Sequence, residues 1–217
     1  MGLRERQKEH RQSQIVSAAK ELFIKQGFER TTIESIAEAA GVSGVTVHNY
    51  YGTKAGVLLA LVVESDDKLL SLLENKLDEK SGDLVSLTRK FARIVMDHAL
   101  ANLDKAIWRQ VIAGVTLDAG SRFSIAYFRL DMKLAAVLTR QIETMQHNGH
   151  VPEHVNAGDL GAALFQLQNA RFIEWVSVDA LTCEQIDARL SADLNALFFL
   201  NTTTPPPLKP ANLGTQP

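Results

Sequence analysis

Proline is almost missing from the first 204 residues of this chain. Pro152 stands alone there, and the other five of the six prolines (Pro205, Pro206, Pro207, Pro210, Pro217) crowd into the last 13 positions. So long a stretch without a helix breaker, carrying apolar side chains at 3.6-residue spacing, predicts an all-α fold. The tail NTTTPPPLKPANLGTQP, 201–217, reads as a Pro-rich disordered segment, so the folded body ends near Asn201. The 217 residues, 46% hydrophobic and 22% charged, suit a folded chain with room for a small domain and a larger one.

The helices can be followed in order. Ile15, Ala18, Ala19, Leu22 and Phe23 share one face of a first helix that Gly27 ends. Thr31 and Glu34 have the spacing of a capping box for a short helix over 33–40, which Gly41 stops. Ser43 caps a second short helix over 44–50, and Thr53 caps a third beginning at Lys54. The apolar face of this third helix runs from Val57, Leu58, Leu61 and Val62 to Leu69, Leu70, Leu73 and Leu77, which predicts one rod of roughly 35 Å. Further helices are expected beyond Ser81-Gly82, over 84–95, 107–115, 123–146, 157–178 and 183–200.

Charge is unevenly spread. The whole chain has 23 Lys+Arg and 25 Asp+Glu, a formal net charge of −2. Residues 1–54 hold 8 basic and 6 acidic side chains, and Arg4, Arg6, Lys8, Arg11 and Lys20 face only Glu5 and Glu9 within the first 20. A mildly basic front on an acidic body suggests an anionic partner for the front alone. The single Cys183 excludes an internal disulfide framework and a cysteine-rich zinc site. At the start of a helix its thiol is expected to ionise more readily than usual. No apolar run reaches the 18 or so residues of a membrane span, and the polar N-terminus lacks a signal-peptide core, so a cytoplasmic location without membrane contact is expected. His147, His150 and His154 fall in a polar connection without helical i, i+4 spacing, so no metal site is expected. No Gly-rich phosphate loop, Gly-x-Ser-x-Gly or His-Glu-x-x-His is present, so neither an enzyme nor a cofactor is anticipated.

Two helices of about eight residues joined around Gly41 have the dimensions of a helix-turn-helix, whose second helix enters the DNA major groove. Ser43 would cap that helix and leave its N-terminal N–H groups near phosphate. Gly44, Val45, Thr46, His48 and Asn49 form its outer surface. His48 and Asn49 can hydrogen-bond base edges, Val45 and the Thr46 methyl can meet a thymine methyl, and Gly44 permits close approach. Tyr50, Lys54 and Thr32 are placed to hold phosphates, with Arg4, Arg6, Lys8 and Arg11 as a basic arm. The same short helices would also fit an all-α small-molecule-binding protein or enzyme in which they are only structural. Loss of sequence-selective DNA retention at about 150 mM salt separates that alternative from a DNA reader.

The pattern of Ala18, Ala19, Leu22, Phe23, Gly27, Phe28, Thr31, Thr32, Ile33, Ile36, Ala37, Ala40, Gly41, Val42, Ser43, Thr46, Tyr51, Lys54 and Leu58 resembles the DNA-binding domain of the tetracycline-repressor (TetR) family of bacterial regulators. Two positions depart from it: His48 stands where the family usually has a phosphate-contacting Tyr, and Gly44-Val45 replaces a side-chain-bearing residue followed by Gly. The resemblance implies an N-terminal three-helix DNA-binding domain over 1–54 and a larger helical effector-binding and dimerisation domain over 55–200. It also implies a repressor that binds double-stranded palindromic DNA as a homodimer and is released by a small-molecule effector.

Geometry supports pairing, because two recognition helices on a two-fold axis read half-sites about 34–36 Å apart. Leu160, Leu164, Leu167 and Arg171, with Ile186, Leu190, Leu194 and Leu197 of the last helix, are expected to form a four-helix interface between copies. For the effector, His98, Trp108, Arg109, Phe123, Tyr127, Phe128, Phe165 and Phe172 are expected to line a cavity between the middle helices. Gln168 and Asn169 interrupt an apolar stripe, and polar groups buried there need partners.

Overall fold

Short polar side chains set the helix starts. In the computed structural model Thr32, Ser43, Thr53, Asp83, Asp104, Ser121 and Asn156 each accept a hydrogen bond from the backbone N–H three residues on. Each such cap contributes about 1 kcal/mol. The structure describes residues 2–77 and 83–199, and the expected Pro-rich tail lies outside them. Among the described residues there are ten helices and no strand: α1 Leu3–Arg30, α2 Ile33–Ala39, α3 Gly44–Tyr51, α4 Lys54–Glu64, α5 Asp66–Lys76, α6 Leu84–Asn102, α7 Lys105–Leu117, α8 Arg122–His147, α9 Ala157–Ser177 and α10 Cys183–Phe199.

Several local expectations shift. The capping box uses Thr32 and Ser35, not Thr31 and Glu34: the Ser35 N–H donates to Thr32 Oγ1, and the Thr32 N–H to Ser35 Oγ, both at 3.0 Å. Thr31 is fully buried instead, its hydroxyl donating to the Gly27 carbonyl at 2.8 Å. Gly27 does interrupt the first helix, at φ +81°. The basic arm is no arm: Arg4, Arg6, Lys8 and Arg11 are exposed side chains on the first turns of α1. Arg, Glu, Gln and Lys are good helix formers, so α1 extends through them. The single rod expected from Lys54 is two helices broken at Ser65, whose hydroxyl donates to the Val62 carbonyl at 2.9 Å. Ser65 starts α5 without a side-chain cap, so the break carries no capping signal that the sequence could show.

One element lies at the centre. In α4 every residue from Gly56 to Val62 is buried, because α1, α7 and α8 cover it from different sides. A helix apolar around its whole girth has to be enclosed in this way. α8 and α9 form a long antiparallel pair so close that a Cβ at Gly161 would lie 2.5 Å from Thr139 Oγ1 and 2.9 Å from the Thr139 nitrogen.

α10 packs on α6 and α9 and is pinned by ion pairs. Arg89 of α6 holds Asp187, and Arg171 of α9 makes a two-pronged contact to Asp193 at 2.6 and 2.7 Å as well as meeting Glu174. This corrects the expected interface. Arg171 is engaged within the subunit, and Leu164, Ile186, Leu190 and Leu194 are no more than 2% exposed, buried in the chain's own core. Their stripes face neighbouring helices of the same chain. Leu160 and Leu167 are half-buried, and Leu197 is 58% exposed.

The turn between α3 and α4 is the tightest point of the chain. A Cβ on Gly56 would fall 2.1 Å from the Tyr51 carbonyl oxygen. Gly56→Ala is therefore expected to cost more than about 3 kcal/mol, since the clash is with backbone that cannot swing away. Gly44→Ala, whose new Cβ has only Ile33 Cγ2 at 4.0 Å, should leave the thermal midpoint unchanged. Equal midpoints for the two variants in thermal denaturation would contradict this account.

Candidate nucleic-acid interface and ligand cavity

α3 is fastened by one side and open on the other. Val47 is wholly buried and Tyr51 is 5% exposed. The Tyr51 hydroxyl donates to the Gln12 carbonyl of α1 at 3.3 Å, and its ring lies 5.5 Å from that of Phe123 on α8. Burial pushes the Tyr51 hydroxyl well above the usual phenol range, so it stays a donor. α2 crosses α3 through a turn in which Gly41 takes φ +65°. On the outward side Ser43, Val45, His48 and Asn49 are exposed, Val45 at 69%. Gly44, Thr46 and Tyr50 are half-buried at its margins. The Ser43 hydroxyl accepts from the Thr46 N–H at 3.2 Å and pairs with Thr46 Oγ1 at 2.9 Å. Thr32 is exposed at the start of α2. Seven of the nine expected DNA-facing residues thus lie on or beside α3 with surface to offer.

Lys54 is different from what its position suggests. Its ammonium donates to the Phe28 carbonyl at 2.6 Å and the Glu29 carbonyl at 3.4 Å, and sits 4.2 Å over the Phe28 ring. The lysine expected on a phosphate therefore closes the C-terminal end of α1 and ties it to α4. A positive charge is well placed there, against the negative end of a helix dipole.

Helices α1 and α4 to α9 enclose a cavity of about 300 Å³. His98, Trp108, Tyr127, Phe165 and Phe172 line it as expected. Three others do not. Arg109 donates to the Val176 carbonyl at 2.7 Å and to Asp179 at 2.8 Å, clamping the end of α9 and holding the Asp179 carboxyl below its usual range. Phe123 packs on Tyr51 under the Arg122 guanidinium, and Phe128 is 56% exposed.

The expected roster of cavity residues lacked Asp131, Lys20 and Lys68, all on the wall. Asp131 was detectable: it sits four residues after Tyr127 and three before Leu134, a charge inside an apolar stripe. Burial pushes its carboxyl up to about 7. The His98 imidazole is pushed down, first by burial and then by Lys20 and Lys68. Gln168 is 2% exposed, and its Oε1 has no hydrogen-bond partner among the described residues.

Cys183 also departs from expectation. Burial raises its thiol rather than the helix start lowering it. His147, His150 and His154 are exposed, and no group of three or more potential metal ligands occurs among the described residues. No helix among these residues is long and apolar enough to cross a membrane.

Comparison with known proteins matches residues 15–61 to the family model described as bacterial regulatory proteins, tetR family. The transcriptional regulator TcmR of Streptomyces glaucescens is 38% identical over 73 residues, 34% of this chain and 32% of that protein. The transcriptional regulator HbdR of Aromatoleum sp. is 34% identical over 139 residues, 63% of this chain and 52% of its own length. The fatty acid metabolism regulator protein of Bacillus subtilis is 28% identical over 109 residues, 48% and 56% of the two chains. The chain thus spans between about a third and somewhat over half of these relatives. In fold it is similar to Thermus thermophilus FadR, a TetR-family repressor solved with lauroyl-CoA, at a TM-score of 0.64 and 22% identity, covering 90% of this chain and 98% of that one. A TetR-family regulator from Pectobacterium atrosepticum also gives 0.64, at 14% identity, with 91% and 96% covered.

Two measurements test the site. Lys54→Met should lose about 1–2 kcal/mol of stability through its carbonyl and ring contacts, while the salt dependence of DNA binding keeps its slope. A slope shallower by about one would return Lys54 to a phosphate. Asp131 has a folded value of about 7 against an ordinary 3.8, so stability from its neutral form is complete below the ordinary range and lost as pH rises toward 7. The melting temperature of Asp131→Asn relative to wild type should therefore rise between pH 5 and pH 8.

Proposed function

We propose that this chain, which belongs through residues 15–61 to the TetR family of bacterial regulatory proteins, is a one-component transcriptional repressor that reads a palindromic operator as a homodimer and releases it when a small molecule enters the cavity. One observation carries the DNA-reading part: α3 is locked by Val47 and Tyr51 while Val45, His48 and Asn49 face solvent on its opposite side. That leaves a rigid helix with an apolar contact for thymine and two side chains able to bond base edges. Ser43 and Thr32, at the starts of α3 and α2, lie where backbone N–H groups and the positive dipole ends favour phosphate. The relatives are named as transcriptional regulators, which disfavours a reading as an enzyme.

Pairing is supported by surfaces other than the buried leucine stripes. On α9, Ala162, Ala163, Gln166, Ala170 and Ile173 form one exposed stripe, and on α10 Ala188, Ala192, Ala196 and Leu197 remain exposed. Ile173 at 39% and Leu197 at 58% exposure are large apolar side chains without cover, and the alanines let helices of a second copy approach closely. Leu160 and Leu167 fit the margin of the same contact.

Release is supported by continuity along α8. Asp131 lines the cavity and Phe123, eight residues earlier and so roughly 12 Å along the axis, touches Tyr51 at the end of α3. A ligand that favours one position of α8 and α4 changes the separation of the two α3 helices, in proportion to its differential affinity for the two states. The FadR complex with lauroyl-CoA supports a ligand role for this fold.

Selection of duplexes from a random pool by the purified protein should enrich an inverted repeat with half-site centres about one helical turn apart. Enrichment of no motif, or of an unrepeated one, overturns the operator reading. Asn49→Ala should relax selectivity at one position by about 1–3 kcal/mol, leaving the others intact. Ile173→Glu should give a folded monomer by sedimentation with weakened operator binding, and a variant that stays dimeric moves the interface elsewhere.

A further inference from the structure

Two acceptors on the cavity wall, Asp131 and Gln168, lie side by side on the α8–α9 pair. Thr139 opposite Gly161 fixes the register of the antiparallel pair α8 and α9. Eight residues back along α8 is Asp131, and eight forward along α9 is Asn169, so Asp131 lies level with Gln168 and Asn169. All three line the cavity. Gln168 Oε1 has no hydrogen-bond partner among the described residues, and neither a hydrogen bond nor a neighbouring charge contributes to the displacement of the Asp131 carboxyl. The other charged or titratable groups on the wall are Lys20 of α1, Glu64 of α4, Lys68 of α5, His98 of α6 and Tyr127 of α8. The two lysines act on His98, whereas burial alone displaces Asp131. Around this level the surface is aromatic. Trp108 gives its indole N–H to the Ala99 carbonyl at 3.1 Å, which leaves its ring for contact, and Phe172 meets it edge-on at 5.2 Å.

Resting on the sensing role proposed above, we infer that the effector is an apolar cation: a hydrocarbon or aryl body bearing a protonated amine, whose N–H groups go to the Asp131 carboxylate and to Gln168 Oε1. Its body lies among Leu61, Leu134, Trp108 and Phe172. A half-buried carboxylate is costly to keep charged, and a cation beside it removes that cost while the ring faces add to its attraction. A fatty acid would bring a second negative charge to Asp131, and the carbonyl of an acyl thioester is only an acceptor, like Gln168 Oε1. A cavity of about 300 Å³ is at the small end of ligand pockets, about 300–1,000 Å³, which suits a single-chain or two-ring amine.

The test compares three probes of one chain length, nonylamine, 1-nonanol and nonanoate, by titration calorimetry and by retention of the selected operator. Nonylamine should bind at least ten-fold more tightly than nonanol and release the operator, with nonanoate the weakest. Asp131→Asn should bring nonylamine down to the level of nonanol, and Gln168→Met should weaken it several-fold. In wild type the affinity for nonylamine, an amine charged throughout, should rise from pH 6 to pH 8 as Asp131 ionises, while that for nonanol stays flat; this profile decides the matter if Asp131→Asn does not fold. Tighter binding of nonanol or nonanoate, or nonylamine binding indifferent to Asp131 and to pH, overturns the cationic class and leaves the sensing role standing if those probes release the operator. If no probe binds or none alters operator retention, the cationic class and the sensing role fall together.

Discussion

The middle of helix α4, residues 56–62, has no solvent side, and the rest of the molecule is arranged around that fact. Its residues 56–62 are enclosed by α1 from the N-terminal end and by α7 and α8 from the body. The division expected after residue 54 therefore falls inside a shared core, with no linker to decouple the halves. Gly56 lies directly against the Tyr51 carbonyl, and Lys54 binds the last carbonyls of α1. The angle between α3 and α4 is thus set by backbone contact on one side and a charged hydrogen bond on the other. A close-packed arrangement of this kind transmits displacement and does not absorb it.

The cavity adjoins that rigid joint. Leu61 and Val62 of α4 and Ser65, where α4 gives way to α5, belong to its wall. Ser65 divides this part of the wall between two helices, α4 and α5. α8 behaves differently, because it reaches from Asp131 on the wall to Phe123 against Tyr51 without interruption. On the release mechanism proposed above, the unbroken helix is the more direct of the two routes from cavity to α3. Asp131 costs stability when it ionises, and on the sensing role proposed above it is also the group placed to report what fills the cavity. Local rules are commonly violated where function requires it, and this carboxylate breaks an otherwise apolar stripe.

Much of the fold was legible because it is written in local chemistry. Gly41, Ser43 and Thr53 mark helix ends by conformational freedom or by a capping oxygen, and each does so in the structure, while Gly27 kinks α1 three residues before its end. The outward residues of α3 followed from the same logic. What periodicity could not resolve was competition between adjacent candidates: Thr31 and Thr32 both offer a cap, and only tertiary packing decides that Thr31 is buried beneath α1. The contacts of Lys54 escape local reading for a related reason. Its position in a motif implied phosphate, but the carbonyls it binds come from residues 26 and 25 positions away.

The leucine stripes of α9 and α10 show the limit most clearly. Spacing identifies an apolar face but not whether the neighbour that covers it belongs to the same chain. Side-chain size supplies the missing information. The larger groups, Leu164, Phe165, Phe172, Ile186, Leu190 and Leu194, give the greatest transfer free energy and are enclosed by the subunit itself. The opposite faces hold alanines with a few large exceptions, Ile173 and Leu197. Such a face buries too little area to drive folding of one subunit, yet it is flat enough for a second helix to pack at short range. The Arg171–Asp193 and Arg189–Glu174 pairs strengthen the same division, since they lock α9 to α10 within one subunit and present the small-residue faces as a preformed unit. A surface already rigid before association loses less conformational entropy on pairing, which suits these faces to the homodimer proposed above.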